Sequence, residues 1–196
     1  MLHRGPVRLL IVPGLRNSGP AHWQTWLQSL HRDAVRVEQT DWDCPDLPAW
    51  AARIDATLNR AGPGPWIVAA HSFGCLALAR YLADARASPV VNALLVAPAD
   101  PDKFGVAGAL PWHPLGIPST LWASDTDPWM SAAAARAWAS RWGSRWLSLG
   151  DAGHINAEAG FGPLPRAQRW VLSAQKQANR REACCPMRQV RWQFAV

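Results

Sequence analysis

The chain has 196 residues, 49% of them hydrophobic, and a formal net charge of +6. That length suffices for one domain with a sizeable core, and the apolar content excludes a globally disordered chain. Basic and acidic residues balance over 1–165; the excess lies in 166–196, where Arg166, Arg169, Lys176, Arg180, Arg181, Arg188 and Arg191 face Glu182 alone.

In chain order, residues 7–12 are an aliphatic run closed by Pro13-Gly14, which predicts a buried strand ending in a sharp loop. A polar loop leads to a helix over 21–30, with Trp23, Trp26, Leu27 and Leu30 at helical spacing. A second strand is expected over 35–40, then a helix over 47–60 with Trp50, Ile54 and Leu58 on one stripe. Gly62-Pro63-Gly64-Pro65 breaks that helix and delivers the chain to the apolar run Trp66-Ile67-Val68-Ala69-Ala70. Leu76 to Leu82 has the composition of a buried helix, and 92–98 reads as another buried strand.

A Pro- and Gly-rich loop occupies 99–118, followed by a strand over 119–124 and a helix over 132–142. The last strand is expected over 145–149 and the last helix over 165–176. Strands alternating with helices predict an α/β fold with a mostly parallel sheet flanked by helices. The expected organisation is one domain over 1–176 and a basic tail over 177–196, either disordered or an extension outside the fold. Such a tail can attach to nucleic acid, yet a solvated helix end and frayed terminus explain it as well, so nucleic acid is not an expected partner.

No apolar run approaches the roughly 18–20 residues of a membrane span. Met1 to Pro6 leads straight into the first strand without room for a signal peptide, which predicts a cytoplasmic protein. Among the four cysteines, Cys44 and Cys75 are isolated and Cys184-Cys185 adjacent. None has zinc-ligand spacing, so no metal is expected, and Cys44 and Cys75 read as buried reduced thiols.

The chemistry is carried by residues at the ends of the predicted strands. Ala70-His71-Ser72-Phe73-Gly74 places a serine at a strand-to-helix junction between small residues, the pattern of a nucleophile elbow. An acid and a histidine follow at later strand ends, Asp127 before Pro128 and His154 after Gly153. The order serine, acid, histidine is that of an α/β hydrolase. Ser72 would attack, His154 would take its proton, and Asp127 would orient the imidazole. Asp125 and Asp100 are alternatives for the acid. His71 reads as a packing or hydrogen-bonding neighbour, not the base.

The backbone N–H groups of Leu15 and Phe73 are the expected oxyanion donors. His22, near the oxyanion loop, is a candidate pocket residue, with a structural role as its competitor. Of the thirteen tryptophans, Trp23, Trp26, Trp50, Trp138 and Trp142 fit helical patterns and read as core; Trp112 in the long loop and Trp129 beyond Asp127 are the candidate pocket walls.

Several stretches resemble the small serine hydrolases of the YdeN and retinoblastoma-binding-protein type. They are Pro13-Gly14-Leu15-Arg16-Asn17-Ser18-Gly19-Pro20 with His22-Trp23-Gln24, Gln39-Thr40-Asp41-Trp42, and Ala70-His71-Ser72 with Gly74-Cys75. Val96-Ala97-Pro98-Ala99-Asp100, Ser124-Asp125-Thr126-Asp127-Pro128-Trp129 and Gly153-His154-Ile155-Asn156 continue the match, which spans about 7–165. The resemblance implies a compact α/β-hydrolase fold without a large lid domain. It implies the triad Ser72, Asp127 and His154, because the family's acid directly precedes proline. Asn17 and Ser18 match the family loop as residues that shape it and could meet substrate. Phe73 departs from the more usual leucine, and the match thins after Gly162.

The expected function is hydrolysis of small carboxylic esters, or of amides or thioesters, through an acyl-enzyme and without a cofactor. A short loop in place of a lid predicts a small or open pocket. The rival expectation is a non-catalytic interaction protein on the same fold, binding protein or nucleic acid through its basic tail.

Overall fold

The computed structural model describes residues 6–183. Six strands are formed: β1 (Arg8–Val12), β2 (Val35–Arg36), β3 (Trp66–Ser72), β4 (Val90–Pro98), β5 (Ser119–Ala123) and β6 (Arg145–Ser148). Between and after them lie α1 (Trp23–Ser29), α2 (Leu47–Ala61), α3 (Phe73–Asp84), α4 (Ala132–Arg141) and α5 (Pro165–Ala183). The strands make one sheet in the order β2-β1-β3-β4-β5-β6, and every pairing is parallel.

Each face of the sheet carries its own core. Leu10, Val12, Val68, Ala70, Leu95 and Leu121 point towards α2, α3 and α4, where they meet Trp50, Ile54, Leu76, Leu78 and Trp138. Their sequence neighbours Leu9, Ile11, Ile67, Ala69, Leu94, Val96 and Trp122 point the other way, against Trp23 and Leu27 of α1 and Ala167 and Val171 of α5. A strand turns successive side chains to opposite faces, so burial of both faces requires an unbroken apolar run. That is why the central strands show no polar alternation.

The α/β-hydrolase architecture is present, and no further domain stands among the described residues. Three local expectations need correction. The strand expected over 35–40 is formed only at Val35–Arg36: β2 lies at the sheet edge, with a neighbour on one side alone, and after Val37 N–H reaches the Ile11 carbonyl the chain leaves the ladder. Cys44 is exposed, not buried, because the loop before α2 rides over the surface; Cys75 alone is a buried thiol among the described residues. The last helix continues past Lys176 to Ala183, so the start of the basic tail is helical. The rest of the tail, with Cys184, Cys185, Arg188 and Arg191, lies outside the described residues. No helix among the described residues is long and apolar enough to cross a membrane.

Parallel strands bring all their carboxyl ends to one edge, where the loops after β1, β3, β4, β5 and β6 converge. The candidate residues lie there.

Candidate active site

Ser72 closes β3 and immediately precedes α3, with φ 51° and ψ −125°. A left-handed non-glycine backbone of this kind stores about 1–3 kcal/mol of strain. It persists because the surroundings leave no alternative. A Cβ on Gly74 would strike the Pro13 carbonyl and lie 2.7 Å from the Val12 carbonyl oxygen, so only glycine lets α3 start this close to β1. A Cβ on Gly14 would lie 2.7 Å from Ser72 Cβ. Ser72 makes no side-chain cap on α3, and its hydroxyl is free to face the strand ends.

The Ser72 hydroxyl donates to His154 Nε2 at 2.9 Å. His154 Nδ1–H in turn donates to Asp127, 2.9 Å from Oδ2 and 3.1 Å from Oδ1. These donor assignments follow from the network, since a carboxylate can only accept. The side chains of Asp127 and His154 are 3% and 10% exposed, so the pair is shielded from water. Asp127 Oδ1 also accepts the Trp129 N–H at 2.8 Å, which fixes the carboxylate plane.

The acid and the histidine sit on separate loops that are stitched together. Buried Ser124 donates to the Gly150 carbonyl and accepts from the Thr126 and Ala152 N–H groups. Thr126 Oγ1 donates to Asp151 Oδ1 and accepts from Gly153 N–H. Asp125 takes part in the same seam: its N–H reaches the Gly150 carbonyl and its carboxylate accepts from Ser148 Oγ at 2.8 Å. Asp125 therefore ties loops, and Asp100 accepts only the nearby Asp102 N–H. Neither meets His154.

His71, buried, donates from Nε2 to the carbonyl oxygen of His154 at 3.0 Å. Burial drives its pKa well below 6.5, and the nearness of His154 and His22 adds to that. The ring is thus neutral, as its single donor role requires. His22 caps α1, its Nδ1 accepting the Gln24 N–H at 3.1 Å. Its pKa falls to about 4, through burial first and then Arg36 and His154.

The loop after β1 is held by two residues that composition alone does not single out. Gln24 donates to the Val12 and Ala69 carbonyls and accepts from Ser18 Oγ. Arg36 donates to Asn17 Oδ1, the Ser18 carbonyl and Thr25 Oγ1. Arg16 and Asn17 both take φ 63°, which turns the loop over the serine. Within the described residues the Leu15 N–H has no hydrogen-bond partner. Phe73 N–H, at the first position of α3, has no intrahelical acceptor.

Ser72 and His154 open onto a cavity of about 480 Å³. His71 and His22 line it with them, and Phe104, Lys103 and Trp129 stand among the other lining residues.

The chain matches the model of a family described as serine hydrolase over residues 9–173. The chain belongs to the serine hydrolase family. A YdeN-like hydrolase from Pectobacterium atrosepticum is 34% identical, with a TM-score of 0.82, over 87% of this chain and 91% of that one. The ydeN gene product of Bacillus subtilis is 20% identical with a TM-score of 0.72, over 86% and 98%. The esterase RhEst1 from a Rhodococcus species shares the fold at 17% identity and a TM-score of 0.63, over 89% and 90%. No curated protein matches the chain.

Not every candidate meets the pocket of this serine hydrolase. Leu15, Asn17, His22 and Trp129 line it, as do Ser72 and His154. Ser18 does not; it is buried and its hydroxyl is committed to Gln24. Trp112 is a correction. It is 61% exposed and lies on the α4 side, against Trp138 and under the Arg141 guanidinium at 4.1 Å. The long loop leaves the site before reaching Trp112, and its earlier residues Lys103 and Phe104 make the wall instead. Lys103 donates to the Trp129 carbonyl at 2.7 Å and the Pro128 carbonyl at 3.3 Å, joining this loop to the acid loop. Asn156, the last residue of the family-like stretch 153–156, also lines the cavity, as do Ala157 and Glu158, which carry no sequence signal beyond following it.

Proposed function

We propose that this serine hydrolase cleaves carboxylic esters of small substrates by a Ser72–His154–Asp127 triad through an acyl-enzyme. The observation that carries the proposal is the unbroken run of hydrogen bonds from Asp127 through His154 to Ser72. A serine hydroxyl is a poor nucleophile at neutral pH, and a base at 2.9 Å can remove its proton as it attacks.

Ser72 Oγ forms a bond to the ester carbonyl carbon while its proton passes to His154 Nε2. The buried Asp127 carboxylate stabilises the resulting imidazolium. Charge gathers on the carbonyl oxygen, where the Leu15 and Phe73 N–H groups and the positive end of α3 receive it. Collapse breaks the bond to the alcohol oxygen, which takes the proton from His154. A water then gives its proton to His154 and attacks the acyl carbon. Collapse returns that proton to Ser72 Oγ and releases the carboxylic acid. The same steps serve an amide or a thioester.

The test is labelling by a fluorophosphonate probe together with turnover of p-nitrophenyl esters of increasing acyl length. Wild type should label and turn over short esters, and Ser72→Ala should do neither. Labelling that persists in Ser72→Ala would overturn the assignment.

A further inference from the structure

Besides His154 the pocket is lined by His71, which is bonded to the His154 carbonyl, and by His22, which the proposed reaction leaves unused. Because His22 Nδ1 accepts the Gln24 N–H, the single proton of its neutral ring sits on Nε2. The low pKa, about 4, keeps the ring neutral at pH 7. The ring is wedged against Trp23 at 5.6 Å and His71 at 4.8 Å between centroids, so it is not free to turn. It is 5% exposed, and it lines the cavity beside Ser72 and His154. Among the described residues nothing accepts its Nε2–H.

A fixed, neutral, unpartnered donor in a substrate pocket discriminates by what it meets. An oxygen acceptor replaces the water it loses. A hydrocarbon of the same shape removes that water and returns no bond, leaving the donor unpaired. The Leu15 and Phe73 N–H groups already face the scissile carbonyl in the proposed reaction, which leaves His22 for a different oxygen.

We infer that His22 is a specificity residue whose Nε2–H binds an acceptor oxygen on the ester outside the scissile carboxyl group. The pocket then selects oxygen-bearing acyl or alcohol groups over their hydrocarbon isosteres. This rests on the ester-hydrolase reading above.

The experiment compares two matched pairs: p-nitrophenyl methoxyacetate with p-nitrophenyl butanoate, and 2-methoxyethyl acetate with butyl acetate. The readout is the kcat/KM ratio within each pair, in wild type, His22→Phe and His22→Ser. Dividing the variant's ratio by that of wild type cancels the esters' intrinsic reactivities. Phe keeps a ring without the donor; Ser keeps a cap on α1 without the ring. A fall of about tenfold in one pair's ratio in both variants is expected, the worth of one neutral hydrogen bond. Unchanged ratios in both pairs, in either variant with wild-type-like melting behaviour, would overturn the inference. Wild type that turns over none of the four esters would overturn the ester-hydrolase reading and this inference with it.

Discussion

The ring of His71 reaches across from the strand that ends in Ser72 and holds the main-chain carbonyl of His154 at 3.0 Å. The residue beside the proposed nucleophile thereby grips the backbone of the proposed base. The grip matters because His154 sits between Gly153 and Ile155, both left-handed, at φ 51° and 50°. A branched side chain in that conformation is strained, and the loop holds it only under constraint. His71→Leu should lower kcat by about 10- to 100-fold with little change in KM, because small misplacement of a catalytic group is costly. His71→Gln, which can donate an amide N–H to the same carbonyl, should recover part of the loss. Equal losses in both variants would argue against the positioning role.

Asp127 and Asp125 are two residues apart but face different partners. Asp127→Asn keeps the side chain's shape and removes its charge, leaving His154 without a carboxylate on Nδ1. A fall in kcat of about 10⁴-fold is expected for ester turnover, as for the equivalent change in other triads. Asp125→Asn should stay within a few-fold of wild type, since its carboxylate accepts from Ser148 at an exposed seam. A larger loss for Asp125→Asn would reverse the assignment.

Gly74→Ala introduces a methyl group where backbone carbonyls of Val12 and Pro13 stand. Neither can yield without separating β1 from α3. Loss of about 3 kcal/mol or more, read from urea unfolding, is expected. Gly108→Ala is the control: nothing lies within 4 Å of a Cβ there, and its stability should change by no more than about 0.5 kcal/mol.

Acid should destabilise the protein through His22. Its folded pKa of about 4 lies below the unfolded 6.5, so between those values the unfolded chain binds a proton that the native ring refuses. Stability is therefore whole above about pH 6.5 and is lost as the pH falls towards 4, by up to about 3 kcal/mol. His71, also driven down by burial, acts in the same direction. Urea midpoints measured from pH 7.5 to 4 should fall with pH, with a shallower slope in His22→Ser. A flat wild-type profile would contradict the buried neutral pair.

What the amino-acid sequence determined by itself is what rests on local pattern. The apolar runs of β1, β3 and β4 had to be strands buried on both faces, and their alternation with helices had to give a parallel sheet. Parallel strands end together, so Ser72, Asp127 and His154, each at or beyond the carboxyl end of a strand, were legible as neighbours although they lie 82 positions apart from first to last. Gly74 was legible for the same reason, since a turn that tight admits only a small residue.

The tertiary structure alone decided the rest. Which part of the 99–118 loop turns inward, Lys103 and Phe104 and not Trp112, depends on where the acid loop offers carbonyls to Lys103 and where Arg141 and Trp138 offer a face to Trp112. Whether His22 is a cap or a pocket wall has no local answer; it is both, because its Nδ1 accepts the Gln24 N–H while the same ring lines the cavity. Strand and elbow follow from interactions within a few residues, whereas pocket walls follow from contacts between segments far apart in the chain. A single sequence carries the first directly and the second only once it is folded.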